Sequence, residues 1–402
     1  MKILRGNLNK IELLAATGMP GAYKVIIYFL IQKLHSFSTL GLIASWQTTA
    51  QILGYFTAIG WSSLILVRVS KASSSIERIR IFNNLTTNSI ITLIPFFILI
   101  KTTILLLGWH QNSFQISLWL AAWTIYQTSR HYFIATKEYR KALYLDTAII
   151  SLSAVTTFAP EKYLSTLLAL SMLLCGVITS YIIQNRKIAP MLPICYEMKG
   201  LEFGLSNFLS GGIGLSFIPL AAWFEGKEFA GILSLFLSLA GIALLLPRAI
   251  SLNHIPRISR ALENKASLPI ALRHLRKQIT QSNIITTLAC LLISSTILYC
   301  HPQLPHPTQT VIIFILIIFQ NFLSNQCLVD ANLLMINEKS KTLLKINSYS
   351  SIIFFSSTTL LHILNIENPF LHLCAITTTI SAYRLYQTKR LAGKLYDRNT
   401  TI

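Results

Sequence analysis

Apolar residues in this chain come in long runs and not in alternation. Twelve such stretches follow one another at residues 11–33, 41–66, 84–108, 114–136, 144–160, 163–184, 201–224, 229–250, 281–300, 309–335, 343–364 and 369–387. About 20 apolar residues cross a bilayer as a helix, whereas barrel strands alternate over segments of about ten. Hydrocarbon offers the backbone no outside hydrogen-bond partner, so continuous apolar runs read as helices. The expected fold is an all-α polytopic membrane protein with about twelve transmembrane helices.

Composition sharpens this picture. Of 402 residues, 53% are hydrophobic and 12% charged, against about 25% charged in a typical soluble protein. Mean hydropathy is +0.56, yet the net charge is +20. A disordered basic tail would be polar, and a nucleic-acid binder would carry its charge on a charge-rich surface. No nucleic-acid partner is therefore expected; the partner is a lipid bilayer. Sorted by loop, 29 of the 34 Lys and Arg lie on alternate connections, and only Lys33, Lys162 and Lys227 on the others. Basic loops stay in the cytoplasm. Both termini are then expected there, which requires an even number of spans. The basic opening MKILRGNLNK runs into apolar sequence without a small-residue cleavage site and reads as a retained first span. The connection between the eighth and ninth runs holds seven basic groups. It is expected to lie as a cationic helix on anionic headgroups.

The searches for chemistry exclude more than they find. Six scattered cysteines form no CxxC pair, and His301 and His306 sit in a Pro-rich tract that reads as a rigid loop, so no metal is expected. No GxxxxGK[ST] phosphate loop is present. Outer loops are short and hold no paired carboxylates suited to catalysis. No catalytic residue and no cofactor is assigned, and the chain is not expected to be an enzyme.

A weak internal duplication organises the spans. KIELLAATGMPG from Lys10 resembles GLEFGLSNFLSGG from Gly200. At an offset of 190, Glu12 falls on Glu202, Gly21 on Gly211 and Gly41 on Gly231. Later the offset is 200, with Arg130 on Asp330 and Glu138 on Glu338. Two six-helix lobes, residues 1–190 and 191–402, are expected about a parallel pseudo-two-fold axis along the membrane normal, a common transporter plan.

Charges inside the runs are the functional candidates, because each costs roughly 2.5–3.5 kcal/mol at mid-helix. Lys24 lies about 18 Å along the first run at 1.5 Å per residue. It follows the Gly18–Gly21 segment, where Pro20 is expected to break the helix. A cation there suits an anionic ligand. Arg130 and Asp330, at matching places, could form a latch between the lobes. Arg248 follows Pro247 at an inner helix end, and Lys101 can snorkel outward. His131 can titrate near neutral pH. Glu12 and Glu202 are read first as acids at helix N-termini and second as gating groups. Carboxylates within the runs are scarce, and Asp330 is the main candidate for ion coupling.

Taken together, the two sets of six spans, the Gly/Pro-broken first helix with its lysine, the basic eighth-to-ninth connection and the YFIATKEYRKAL segment resemble a Wzx-type polysaccharide flippase. That group belongs with the MATE drug exporters in the multidrug/oligosaccharidyl-lipid/polysaccharide (MOP) exporter superfamily. The resemblance implies a MATE-like fold with a cationic cavity between two lobes that open alternately. It implies transport of an undecaprenyl-diphosphate-linked oligosaccharide, such as an O-antigen repeat unit of lipopolysaccharide, across the bacterial inner membrane. Coupling to an H+ or Na+ gradient is implied, as are a polysaccharide polymerase and a chain-length regulator as partners. Substrate binding falls to Lys24, Arg130, Lys101 and Arg248; coupling or gating falls to Asp330, Glu12, Glu202 and His131. Drug-exporting relatives usually carry carboxylates in the first span, so the lysine points to an anionic cargo. The alternatives are an ion-coupled small-molecule exporter of the same fold and a membrane-embedded glycan polymerase or ligase.

Overall fold

The computed structural model describes residues 2–106, 113–185, 196–243, 246–247, 250–251, 268–300, 307–336 and 340–400. These are helical almost throughout. α1 is Lys2–Leu34, and α2 (Phe37–Gly54) runs through a π-helical segment, Tyr55–Ile59, into α3 (Gly60–Lys71). Then come α4 (Ser75–Leu106), α5 (Ser113–Ala135), α6 (Tyr139–Thr156), α7 (Glu161–Gln184), α8 (Lys199–Phe224) and α9 (Lys227–Ala243). The remainder is α10 (Leu268–Cys300), α11 (Pro307–Gln326), α12 (Leu328–Ile336), α13 (Ser340–Ile363) and α14 (Pro369–Thr400). With α2–α3 and α11–α12 each taken as one rod, the described residues form twelve rods, matching the twelve apolar runs.

Six of those rods are long and apolar enough to cross a bilayer by length and composition alone: 37–71, 75–103, 161–184, 199–224, 272–299 and 307–334. Among the remaining rods, α5 carries the polar run Gln127–His131 and α6 carries Asp146 among 18 residues. Large apolar side chains point outward along the rods. Ile94, Ile98 and Leu99 of α4 and Leu174, Val177, Ile178 and Tyr181 of α7 are all exposed. Thr, Ser, Asn and Gln fill much of the interior. That inversion is what lipid in place of water selects. The chain is a multi-pass membrane protein.

Two compact units divide the chain, Met1–Leu235 and Phe236–Ile402. In the first, α5 is central and packs on α2, α3, α4, α6 and α7. Its inner core gathers Trp61, Ile65, Phe82, Tyr132 and Ile183, with the Phe82 and Tyr132 rings 5.0 Å apart. α8 packs against α2, α3 and the π segment. It belongs to the second repeat by sequence and to the first unit by packing. In the second unit, α11 packs on α10 and α14. Leu272, Leu275, Ile279, Val329 and Leu333 form a core there.

Glycines set the tightest helix contacts of the first unit. A Cβ on Gly41 of α2 would overlap the Lys227 carbonyl of α9. A Cβ on Gly231 of α9 would overlap the Phe37 carbonyl of α2. Lys227 and Gly231 are Phe37 and Gly41 displaced by 190, so each repeat contacts the other through the same two positions. Both contacts lie inside the first unit and hold α2 close against α9.

Two expectations need correction here. α1 runs unbroken through Pro20. The run at 144–160 is displaced: its helix is Tyr139–Thr156, which moves Asp146 from the edge into the body of the span.

Candidate functional site

A narrow cleft of about 10 Å³, room for one water, lies among α1, α2, α5, α6 and α7 of the first unit. Its polar lining is Tyr23, Lys24, Gln47, Gln51, Trp123, Tyr126 and Asp146. Each is placed by local sequence. Gln47 and Gln51 are four residues apart on α2 and so share one face. Gly54, the last α2 residue, leaves room for the Trp123 indole: a Cβ there would come within 2.6 Å of its Cδ1. The π segment then begins. Its insertion into the helix is accommodated by side chains, with Ser89 donating to the Thr57 carbonyl and the Thr57 and Thr124 hydroxyls 2.9 Å apart.

On the α5–α6 side, Arg130, Asp146 and Tyr126 satisfy one another. Proline lacks an N–H, so Pro20 leaves the Ala16 carbonyl one turn earlier without its helical donor. The Arg130 guanidinium donates to that carbonyl. Arg130 Nε also donates to Asp146 Oδ2 at 3.1 Å, while Tyr126 Oη donates to Oδ1 at 2.7 Å. Arg130 and Asp146 are buried, so their charges cancel in place.

The wall on the α1–α2 side is not saturated. Lys24 Nζ donates to Gln51 Oε1 at 2.8 Å, and Tyr28 Oη donates to Gln47 Oε1 at 2.7 Å. An ammonium has no acceptor, so Lys24 fixes which end of the Gln51 amide faces it. The buried amide nitrogens of Gln47 and Gln51, and the Trp123 indole N–H, have no hydrogen-bond partner. Buried orphan donors are rare, because each costs about 1–3 kcal/mol. Three of them, two on α2 and one on α5, line the same cleft as the ammonium.

By sequence, no family profile and no curated protein matches the chain. By structure, several solved proteins do. The MATE multidrug transporter DinF-BH, solved in complex with R6G, covers 96% of this chain and 95% of its own at TM-score 0.62 and 14% identity. A MATE family transporter of the MOP superfamily in an inward-facing conformation covers 98% and 96% at TM-score 0.56 and 12% identity. A MOP superfamily transporter from Pyrococcus furiosus covers 97% and 95% at TM-score 0.58 and 13% identity. The fold is the MATE fold.

Within the MATE fold, the anticipated residues sort unevenly. Lys24 lines this cleft, which lies inside the first unit. Arg130 stands behind its wall, bound to Asp146 and Ala16. Asp330, only 1% exposed, accepts from Arg276 Nη2 at 2.7 Å inside the second unit. The expected Arg130–Asp330 latch is therefore corrected: each residue is satisfied by a different partner within its own unit. Glu12 lies ten residues into α1, not at its N-terminus, and pairs with Arg140 at 2.7 Å. Glu202 does sit in the first turn of α8. His131 hydrogen-bonds the Gln127 carbonyl through Nδ1 and stays outside the cleft lining. Lys101 is exposed on α4. Arg248, the tract holding His301 and His306, and most of the basic eighth-to-ninth connection lie outside the described residues. Arg273, Arg276 and Lys277 of that connection form part of α10. Among the described residues no cluster of three His, Cys, Asp or Glu could hold a metal. Sequence reasoning missed Asp146, Gln47, Gln51 and Trp123. Asp146 could have been found as an acid inside the apolar run Leu145–Ile150.

Proposed function

We propose that this chain is a transporter with alternating access whose cargo is rich in anionic oxygens. Its cargo is an undecaprenyl-diphosphate-linked oligosaccharide, such as an O-antigen repeat unit, moved from the inner to the outer leaflet of the bacterial inner membrane. The observation that carries this reading is the set of unpartnered donors at Lys24. Phosphates, carboxylates and sugar oxygens accept the hydrogen bonds that these donors leave unmade. A drug cation would meet the Lys24 ammonium instead. Other members of the fold are described in inward-facing and outward-facing conformations, which is the pair of states such a cycle needs. The Pyrococcus furiosus neighbour is described as having a binding pocket of reverse polarity, suggesting a different function; a cationic pocket in this chain fits the same theme. Flipping is then a population shift between states, biased by cargo and by an H+ or Na+ gradient. A polysaccharide polymerase and a chain-length regulator act beside it, and both termini face the cytoplasm.

A second reading is favoured by the neighbours of the same fold: one is a MATE multidrug transporter, so an ion-coupled small-molecule exporter also fits. The deciding experiment is glycan export in cells carrying Lys24→Ala or Lys24→Arg. Export is expected to fail with alanine and to persist in large part with arginine. Normal export by well-expressed Lys24→Ala protein overturns the role of the cleft.

A further inference from the structure

The second unit holds a cation without a counter-charge. Arg384 lies on α14, three residues before the apolar run 369–387 ends, or about 4.5 Å inside it. Its side chain is half-buried. Among the described side chains no carboxylate pairs with it and no hydrogen bond ties its guanidinium. Orientation does not require an arginine there, because loop residues satisfy the same bias without entering a span. Two more cations join it. One small core draws three helices together: Leu272, Leu275 and Ile279 of α10, Val329 and Leu333 of α12, and Ala392 of α14. The Cys327 sulfur, at the break between α11 and α12, lies 3.0 Å from the Thr388 hydroxyl. Thr388 is one turn beyond Arg384 on the same face. Arg384, Lys389 and Asp330 are the charged groups that act on that sulfur through space. From α10, Arg276 gives Nη2 to Asp330 and leaves the rest of its half-exposed fork free. Asp330 is itself buried, so three cations meet over α12 against one acid already engaged. Exposed Tyr383 and Tyr386 flank Arg384, and tyrosines gather where hydrocarbon meets headgroups. An arginine near a span end lays its stem on apolar surface and turns its head to that boundary. A phosphodiester at that depth accepts two guanidinium N–H groups at once.

We propose that Arg384, Lys389 and Arg276 form a discrete site for the phosphodiester headgroup of one anionic phospholipid. Basic pockets between helices at a membrane face hold anionic headgroups in this way. The bound lipid links α14 to α10 across α12, and its chains lie along the exposed apolar side of the rods. The site stands on the multi-pass fold and is independent of the cargo, since it lies in the second unit and the Lys24 cleft in the first.

The test uses the purified full chain in detergent. Native mass spectrometry counts the lipids retained from an equal mixture of phosphatidylglycerol and phosphatidylcholine, which share the phosphodiester and differ in net charge. Wild type should retain one phosphatidylglycerol at least about tenfold more tightly than phosphatidylcholine, the value of one charge-assisted hydrogen bond. Arg384→Gln should remove most of that preference. Arg384→Lys should keep part of it, because the charge stays and the planar fork is lost. Lys345→Gln and Lys394→Gln, at exposed basic residues of the same unit, should change it little. The readout is a ratio of two lipids on one molecule, so it survives a variant of lowered stability. Lys389→Gln, expected to weaken the preference, serves where Arg384→Gln does not fold. Equal retention of the two lipids by wild type overturns the proposal. So does a loss spread evenly over Arg384, Lys345 and Lys394, which describes a diffuse basic surface. Inorganic phosphate displacing phosphatidylglycerol at equal concentration overturns a lipid as the occupant. Export by the Lys24 variants is read separately, so failure of either idea leaves the other standing.

Discussion

The two walls of the Lys24 cleft hold the same kinds of group and end in opposite states. Behind α5 and α6, Arg130, Asp146 and Tyr126 consume one another's hydrogen bonds, and the surplus guanidinium N–H takes the carbonyl that Pro20 releases. Across from them, Lys24, Gln47 and Gln51 spend their acceptors and keep donors in reserve. Both cations are expensive to place inside a membrane. One has been made structural by a complete set of partners. The other has been left with work to do. What separates an architectural charge from a functional one here is not depth, since Arg130 is the more buried, but what remains unpaired.

That contrast can be broken most forcefully at Arg130. Arg130→Gln strands Asp146 and the Ala16 carbonyl, and should cost about 3–5 kcal/mol, seen as lost folded protein or a large fall in melting temperature. Combining it with Asp146→Asn removes both charges and should recover most of the loss; a double variant as unstable as the single would dissolve the description of a self-satisfied trio. Lys24→Ala is expected to behave in the opposite way. Its stability cost should stay near 1 kcal/mol, one hydrogen bond to Gln51, while export fails. A melting temperature as low as that of Arg130→Gln would erase the distinction between the walls.

Pro20 sharpens the comparison further. Pro20→Ala gives the Ala16 carbonyl a helical donor again, so Arg130→Gln should hurt less in that background. A double-mutant cycle is expected to show coupling of about 1 kcal/mol. Additive effects would mean that the arginine does not act through that carbonyl. The smallest effect belongs to a half-exposed pair. Arg68 donates to both Glu197 oxygens at 2.8 and 2.6 Å, and this holds the Glu197 carboxyl below the usual glutamate range. A carboxyl with a lowered native pKa contributes stability that is complete above its unfolded value and fades as pH falls through the native one. Glu197→Gln should therefore cost at most about 1 kcal/mol at neutral pH. It should also flatten the acid side of a melting-temperature profile.

Much of this was legible beforehand, and the limits have physical causes. Run length and the loop bias of Lys and Arg were enough for the helical rods, because hydrocarbon imposes one backbone solution. The rods at 161–184 and 199–224 lie within two residues of their apolar runs. α6 was misplaced by about five residues because its polar face, ending in Asp146, points inward and shortens the visible run. Lys24 was found since a lysine in apolar sequence is conspicuous. Gln47 and Gln51 were not, because an amide in a helix is commonplace until its partners are known. Arg130 and Asp330 looked like a pair because repeats align them; their partners, Asp146 and Arg276, depend on packing that no periodicity encodes.

Gly41 and Gly231 leave a different kind of mark. Each lies against the main chain of the other's helix, and a side chain added to either strikes the carbonyl opposite. No rotamer relieves such a clash, because the obstacle is backbone. A substitution at either position is therefore answered only by moving α2 away from α9, and the loss spreads along the whole length of two helices.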